Sequence, residues 1–408
     1  MKSIEFIFIS ESSIIGGIET LMVRMANSVH RDGHNVSVFC PEGPVVSEFT
    51  PGIKWTKVSD GMALGITLES FKPEKGTEHV SIWTSHPFMI ADAYRLQGII
   101  WKKWRVTSNS ISGIFIPAQF VVSNDLIGLI KNNIIMKLPP LGSIYFMSDA
   151  VRLSFVEKFG HSFEKWPVKK LTHNVETNNI SWTPKNTNRL SIVSVGRLTP
   201  FKAYNFGAAN IVKEIRDAGV DCEWHIWGEG KDLDLARAYA KTTGVGDFLQ
   251  FHGTLPYREF ASEVCKHSLF IGMGTAALEA ASCGMPTVIA LVNSKRECAG
   301  YLHEAPSDSI GEDVSHKYRK NVIDLLFNFT NLSPEQQQNI GSKCRTAISN
   351  RMNEKEGGVS ADLQDGLNYP SSLLTALKMN TYTFTLQIWR RLTRIQRRNR
   401  NVKLTSRP

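Results

Sequence analysis

No apolar run in this chain reaches the ~18 residues that a membrane-spanning helix needs. The opening stretch Ile4-Glu5-Phe6-Ile7-Phe8-Ile9 is too short for a signal-peptide core and reads as a buried strand. Together these absences lead to the expectation of a cytosolic protein. Cysteine is scarce, with six at positions 40, 222, 265, 283, 298 and 344, and their spacing fits no metal site. Free thiols are expected. Internal repeats and long low-complexity segments are missing too. No acidic D-x-D stands at a strand end, because Asp232-Leu233-Asp234 falls in a helical pattern. Net charge is small over most of the chain. Of the formal +9, eight units come from Arg390, Arg391, Arg394, Arg397, Arg398, Arg400, Lys403 and Arg407, which have no acid among them. The basic balance thus describes a tail and not a fold. No nucleic-acid reader motif accompanies that run, so nucleic acid is not an expected partner.

What is present fits a soluble α/β protein. A length of 408 residues suits two domains of roughly 150–200 residues each. Strand patterns fall at 4–9, 35–40, 80–84, 120–123, 142–147, 191–195, 223–227, 248–252, 268–271 and 286–292. Helical patterns fall at 18–32, 149–159, 205–218, 231–242, 256–266 and 274–283. Such alternation means βαβ units with parallel sheets. Residues 172–190 are polar and loop-like and are expected to link the domains. The expected division is 1–175, 188–345, a return segment 346–383 and a basic tail 384–408.

Two separated motifs suit a nucleotide diphosphate. In Ser191-Ile192-Val193-Ser194-Val195-Gly196-Arg197-Leu198-Thr199-Pro200-Phe201-Lys202 an apolar run ends in a glycine, and two cations follow. In Gly272-Met273-Gly274-Thr275-Ala276-Ala277-Leu278-Glu279 a glycine turn opens a helix that carries a carboxylate. Backbone N–H groups at a helix start attract anions, and two cations complete a diphosphate cradle. A carboxylate at Glu279 suits ribose hydroxyls. Solvated loop cations and a surface glutamate are the plainer alternatives. Gly16-Gly17, between a strand and a helix, allow close approach of a ligand or form an ordinary turn. His225 and His252 lie in strand patterns and read as packed sheet residues.

These residues resemble the retaining glycosyltransferases of family four, which have the GT-B fold. That family shows G-R-x-x-x-x-K after one strand and E-G-F-G-x-x-x-L-E-A-x-A-x-G-x-P at a later turn. Gly196, Arg197, Lys202, Gly274, Leu278, Glu279, Ala280, Gly284 and Pro286 fall into register. Gly16-Gly17-Ile18-Glu19 resembles the family's N-terminal glycine loop. The resemblance implies two facing Rossmann-like doubly wound domains with a cleft between them. It implies that Gly16, Gly17, Gly228, Gly274, Thr275, Ala276 and Glu279 hold the donor, with retention at the anomeric carbon, no required metal, no cofactor and a UDP-sugar favoured. His86, at the end of an apolar strand, with Arg197 and Lys202, is the implied catalytic set, and Asp92 is a weaker candidate. One position departs from the pattern, since Ile271 stands where the family has its first glutamate. The amphipathic segment with Phe384, Ile388, Leu392 and Ile395 on one face suits an anionic membrane surface. The expected enzyme transfers a sugar to a lipid-linked or oligosaccharide acceptor in surface-polysaccharide assembly. A nucleotide-sugar epimerase and a non-catalytic partner subunit remain as alternatives.

Overall fold

The computed structural model describes residues 3–58, 68–84, 89–114, 144–160, 163–168, 180–185, 189–306, 309–312, 316–353, 358–364, 366–369, 377, 381, 384, 385 and 388. The strand expected at 120–123 lies outside these residues, as does most of the 172–190 segment. The chain divides into two compact units, one of residues 1–14, 25–171 and 357–408, the other of 15–24 and 172–356.

In the first unit, β1 (Ile4–Ile9) leads through α1 (Gly17–Arg31) to β2 (Asn35–Cys40), with β3 (Lys54–Lys57) beyond it. The crossover continues with β4 (His79–Thr84), α2 (Ile90–Trp104), β5 (Thr107–Ile114), β6 (Ile144–Phe146) and α3 (Asp149–Phe159). Strands β1 to β6 pair in parallel. Five consecutive residues of β1 are buried, as expected of a strand covered on both faces. The order runs β3-β2-β1-β4-β5, so it reverses between β1 and β4.

The second unit repeats the pattern. β7 (Leu190–Val195), α4 (Tyr204–Asp217), β8 (Cys222–Trp227), α5 (Leu233–Thr242) and β9 (Leu249–Gly253) come first. A short 3-10 turn at Tyr257–Glu259 and α6 (Phe260–Val264) follow, where the pattern suggests one helix over 256–266. Then come β10 (Leu269–Gly272), α7 (Thr275–Ser282), β11 (Thr287–Ala290), β12 (Glu297–Tyr301) and β13 (Lys320–Asn321). α8 (Val322–Thr330) and α9 (Pro334–Asn353) close the unit. The sheet order is β13-β12-β11-β10-β7-β8-β9, antiparallel only at β12 and β13. Within the 172–190 segment, Trp182 is packed. Its ring is 1% exposed, its Nε1 donates to the His267 carbonyl at 2.7 Å, and its backbone N–H donates to the Cys283 carbonyl at 2.8 Å. The described end of that segment is therefore packed into the second unit.

The chain then returns to the first unit. α10 (Gly358–Gln364) packs on β4 and β5, and β14 (Leu367–Tyr369) pairs antiparallel with Ser108–Ser110 of β5.

Candidate active site

The second sheet reverses its order between β7 and β10, and a ligand crevice opens beyond the carboxyl ends of strands at such a point. The loop after β7 carries Arg197 and Lys202, and the turn after β10 carries Gly274. The fold thus brings together two motifs that lie about 70 residues apart in sequence.

The β7 loop is held by the neighbouring glycine turn. Gly196 donates its N–H to the Trp227 carbonyl at 2.8 Å, and Leu198 donates to that of Glu229 at 2.9 Å. A side chain at Gly228 would overlap the Gly196 carbonyl, and one at Gly230 would overlap that of Leu198. With φ at 140° and 158°, both positions need glycine for this backbone contact. Gly228 therefore buttresses the Arg197 loop.

Lys202 folds back until its Nζ covers Gly196, where a Cβ would strike it. Burial, with the Arg197 guanidinium beside it, pulls the Lys202 ammonium down to about 8. Among the described residues neither Arg197 nor Lys202 is paired with a carboxylate. A lysine drawn out of water beside an arginine, with neither paired to a carboxylate, is an arrangement suited to an anion.

α7 opens at Gly274, whose φ of 74° suits glycine and whose vacant side faces open space. Thr275 is buried and Ala276 half-buried behind it. The positive end of this helix and its first N–H groups add to the anion site. The glycine loop lies alongside, within the same unit. A Cβ at Gly17 would sit 3.2 Å from Thr275 Oγ1, and one at Gly16 would sit 3.6 Å from Arg197 Nε.

Glu279 lies one turn into α7, 7% exposed, and its Oε1 accepts from Arg24 Nη1 of α1. Arg24 is 1% exposed and lies over the Tyr257 ring, 5.8 Å from its centroid. Burial pushes the Glu279 carboxyl up, and the guanidinium pulls it back. Arg24 escapes sequence reasoning, although a cation inside the apolar run Leu21–Ala26 is its signal. His86 lies outside the described residues, two positions beyond β4. Asp92 is buried in α2 at 6% exposure and does not face solvent. His252 is exposed on β9, with its Nε2 2.9 Å from His225 Nδ1.

Residues 189–312 match the family model of the glycosyl transferases group 1. No curated protein matches the chain by sequence. Solved structures match almost end to end at low identity. Staphylococcus aureus TarM, solved as a mutant with fondaparinux, alpha-GlcNAc-glycerol and UDP, is 10% identical, with 90% of this chain and 99% of that one covered and a TM-score of 0.60. A glycosyltransferase from Rickettsia africae is 11% identical, with 94% and 99% covered and a TM-score of 0.58. Anabaena HepE, in complex with UDP and glucose, is 12% identical, with 89% and 98% covered and a TM-score of 0.57. The chain thus has the GT-B fold of two Rossmann-like units, and residues 189–312 of its second unit match the group 1 glycosyltransferases.

Proposed function

We propose that this chain is a retaining, metal-independent glycosyltransferase that takes its sugar from a nucleotide diphosphate, with UDP favoured. The observation that carries the reading is the pair Arg197 and Lys202, both half-buried and neither paired with a carboxylate among the described residues, beside the α7 start at the strand-order reversal. In the reaction the bond between the anomeric carbon and the phosphate oxygen breaks, and its electrons leave with the diphosphate. An acceptor hydroxyl bonds to that carbon on the same face, and its proton passes to the oxygen of the departing diphosphate. The two cations offset the charge growing on the leaving group. UDP bound in HepE and TarM supports the nucleotide assignment.

The proposed acceptor is a lipid-linked saccharide of a surface polysaccharide. Phe384 and Ile388, 64% and 37% exposed, support a membrane-facing stripe at the head of the basic tail. The test is transfer from UDP-sugars in EDTA, with the anomeric configuration of the product read by NMR. Arg197→Ala should lose about 2–4 kcal/mol of transition-state stabilisation, read as kcat/KM. Activity within threefold of wild type would reject the role of Arg197.

A further inference from the structure

Glu19 is the one carboxylate in the glycine loop, in the first turn of α1. It is 6% exposed, and its Oε2 is buried without a hydrogen-bond partner. The side chain curls back over the loop, so that a Cβ on Gly16 would sit 2.5 Å from Oε2 and 3.6 Å from Arg197 Nε. An acidic residue at this helix position ordinarily closes a capping box on the residue before the helix. Oε2 makes no such bond. No ion pair joins Glu19 to Arg197 among the described residues either. A buried carboxylate oxygen left open is costly, and that cost marks a position kept for a ligand.

The chemistry of the ligand follows from the group. An ionised carboxylate only accepts hydrogen bonds. A diphosphate has none to give and is repelled, whereas a sugar hydroxyl donates one. Arg197 Nε and Glu19 Oε2 both lie beside Gly16, the first suited to a phosphate and the second to a hydroxyl attached to it. Meanwhile Ile271, at 0% exposure inside β10, supplies no carboxylate on the strand side.

Resting on the function proposed above, we infer that Glu19 Oε2 accepts a hydrogen bond from a hydroxyl of the transferred sugar. Calorimetry with UDP and with UDP-glucose, UDP-galactose and UDP-N-acetylglucosamine tests this on the full chain. The wild type should bind one sugar nucleotide more tightly than UDP. Glu19→Ala should bind UDP unchanged but lose about tenfold of its affinity for that sugar nucleotide. Glu19→Gln should lose part of it and melt no lower than wild type, because an unpaired buried charge is gone. A sugar-nucleotide preference over UDP unchanged in both variants would overturn the inference. So would a Glu19→Gln protein that melts lower and binds both ligands equally weakly, which marks a structural cap. If UDP itself fails to bind the wild type, the nucleotide reading falls first and this one with it.

Discussion

Lys202 holds its proton less firmly than an ordinary lysine, and this sets the pH range of the anion site. The ammonium sits at about 8 in the free protein because burial and Arg197 both oppose its charge. A diphosphate needs the protonated form. As pH rises through 8 the free protein loses that proton, so UDP affinity should fall between pH 8 and 9.5, by up to about tenfold per pH unit. Lys202→Arg stays protonated throughout and should give a flat profile by calorimetry. Glu279 makes a second case. From sequence, Glu279→Ala is expected to weaken nucleotide binding far more than it harms the fold. The structure changes that expectation, because the substitution strands the buried Arg24 guanidinium. Breaking such a pair costs about 3–5 kcal/mol. Urea unfolding should show this loss in Glu279→Ala and in Arg24→Met, and a smaller loss in the double variant. Additive losses in the double variant would show that the two side chains act independently.

Among the elements, β8 and β9 carry a polar ladder on one face. Trp227 stacks on His252, His252 on His225, and the His225 and His267 rings lie 4.5 Å apart. Ser191 Oγ donates to Glu223 Oε1 at 2.9 Å and faces His267 Nδ1 at the same distance. Burial, with His225 next to it, brings the His267 imidazole down to about 4, against the raising pull of Glu263 and Glu223. The unfolded chain takes up this proton near pH 6.5, while the folded one resists until about 4. The stabilisation is therefore complete above pH 6.5 and is lost as pH falls toward 4, by about 3 kcal/mol at most. Melting curves from pH 7 to 4 should show the decline, and His267→Gln should flatten it. An equal slope in that variant would place the acid sensitivity elsewhere.

For the whole molecule, the return of residues 358–369 decides where the chain tolerates shortening. Ser81 Oγ and Asn109 Nδ2 both donate to the Leu363 carbonyl, at 2.6 and 2.9 Å, and β14 covers one edge of β5. A chain ending at Asn380 keeps these contacts. It should stay folded and bind UDP, yet lose the sedimentation with anionic vesicles at low salt proposed for the full chain. A chain ending at Asn353 leaves buried donors unmet and a strand edge open, and it should aggregate. Vesicle binding retained by the Asn380 chain would show that the basic tail is not the anchor.

The sequence by itself determined much of the core. β1, β2, β7 and β10 are mostly apolar, as burial on both faces requires, whereas β8 alternates buried Cys222, Trp224 and Ile226 with half-buried Glu223, His225 and Trp227. The cations after β7 and the glycine turn after β10 were legible for the same reason, since chemistry sits at the ends of such strands. Only the tertiary structure decided β5, whose Ser108, Asn109, Ser110 and Ser112 are buried although polar. They carry no hydrophobic signal. Gln97 donates to the Ser108 carbonyl, Ser110 donates to Gln97 and Asn109 reaches Leu363, whereas the Ser108 and Ser112 hydroxyls are buried with no hydrogen-bond partner. It also decided that Arg24 meets Glu279 and that Glu19 Oε2 goes unpartnered, because both depend on how a helix of residues 17–31 lies against loops more than 170 positions away. Local pattern records which face of an element is apolar. It does not record which distant side chain arrives opposite a charge.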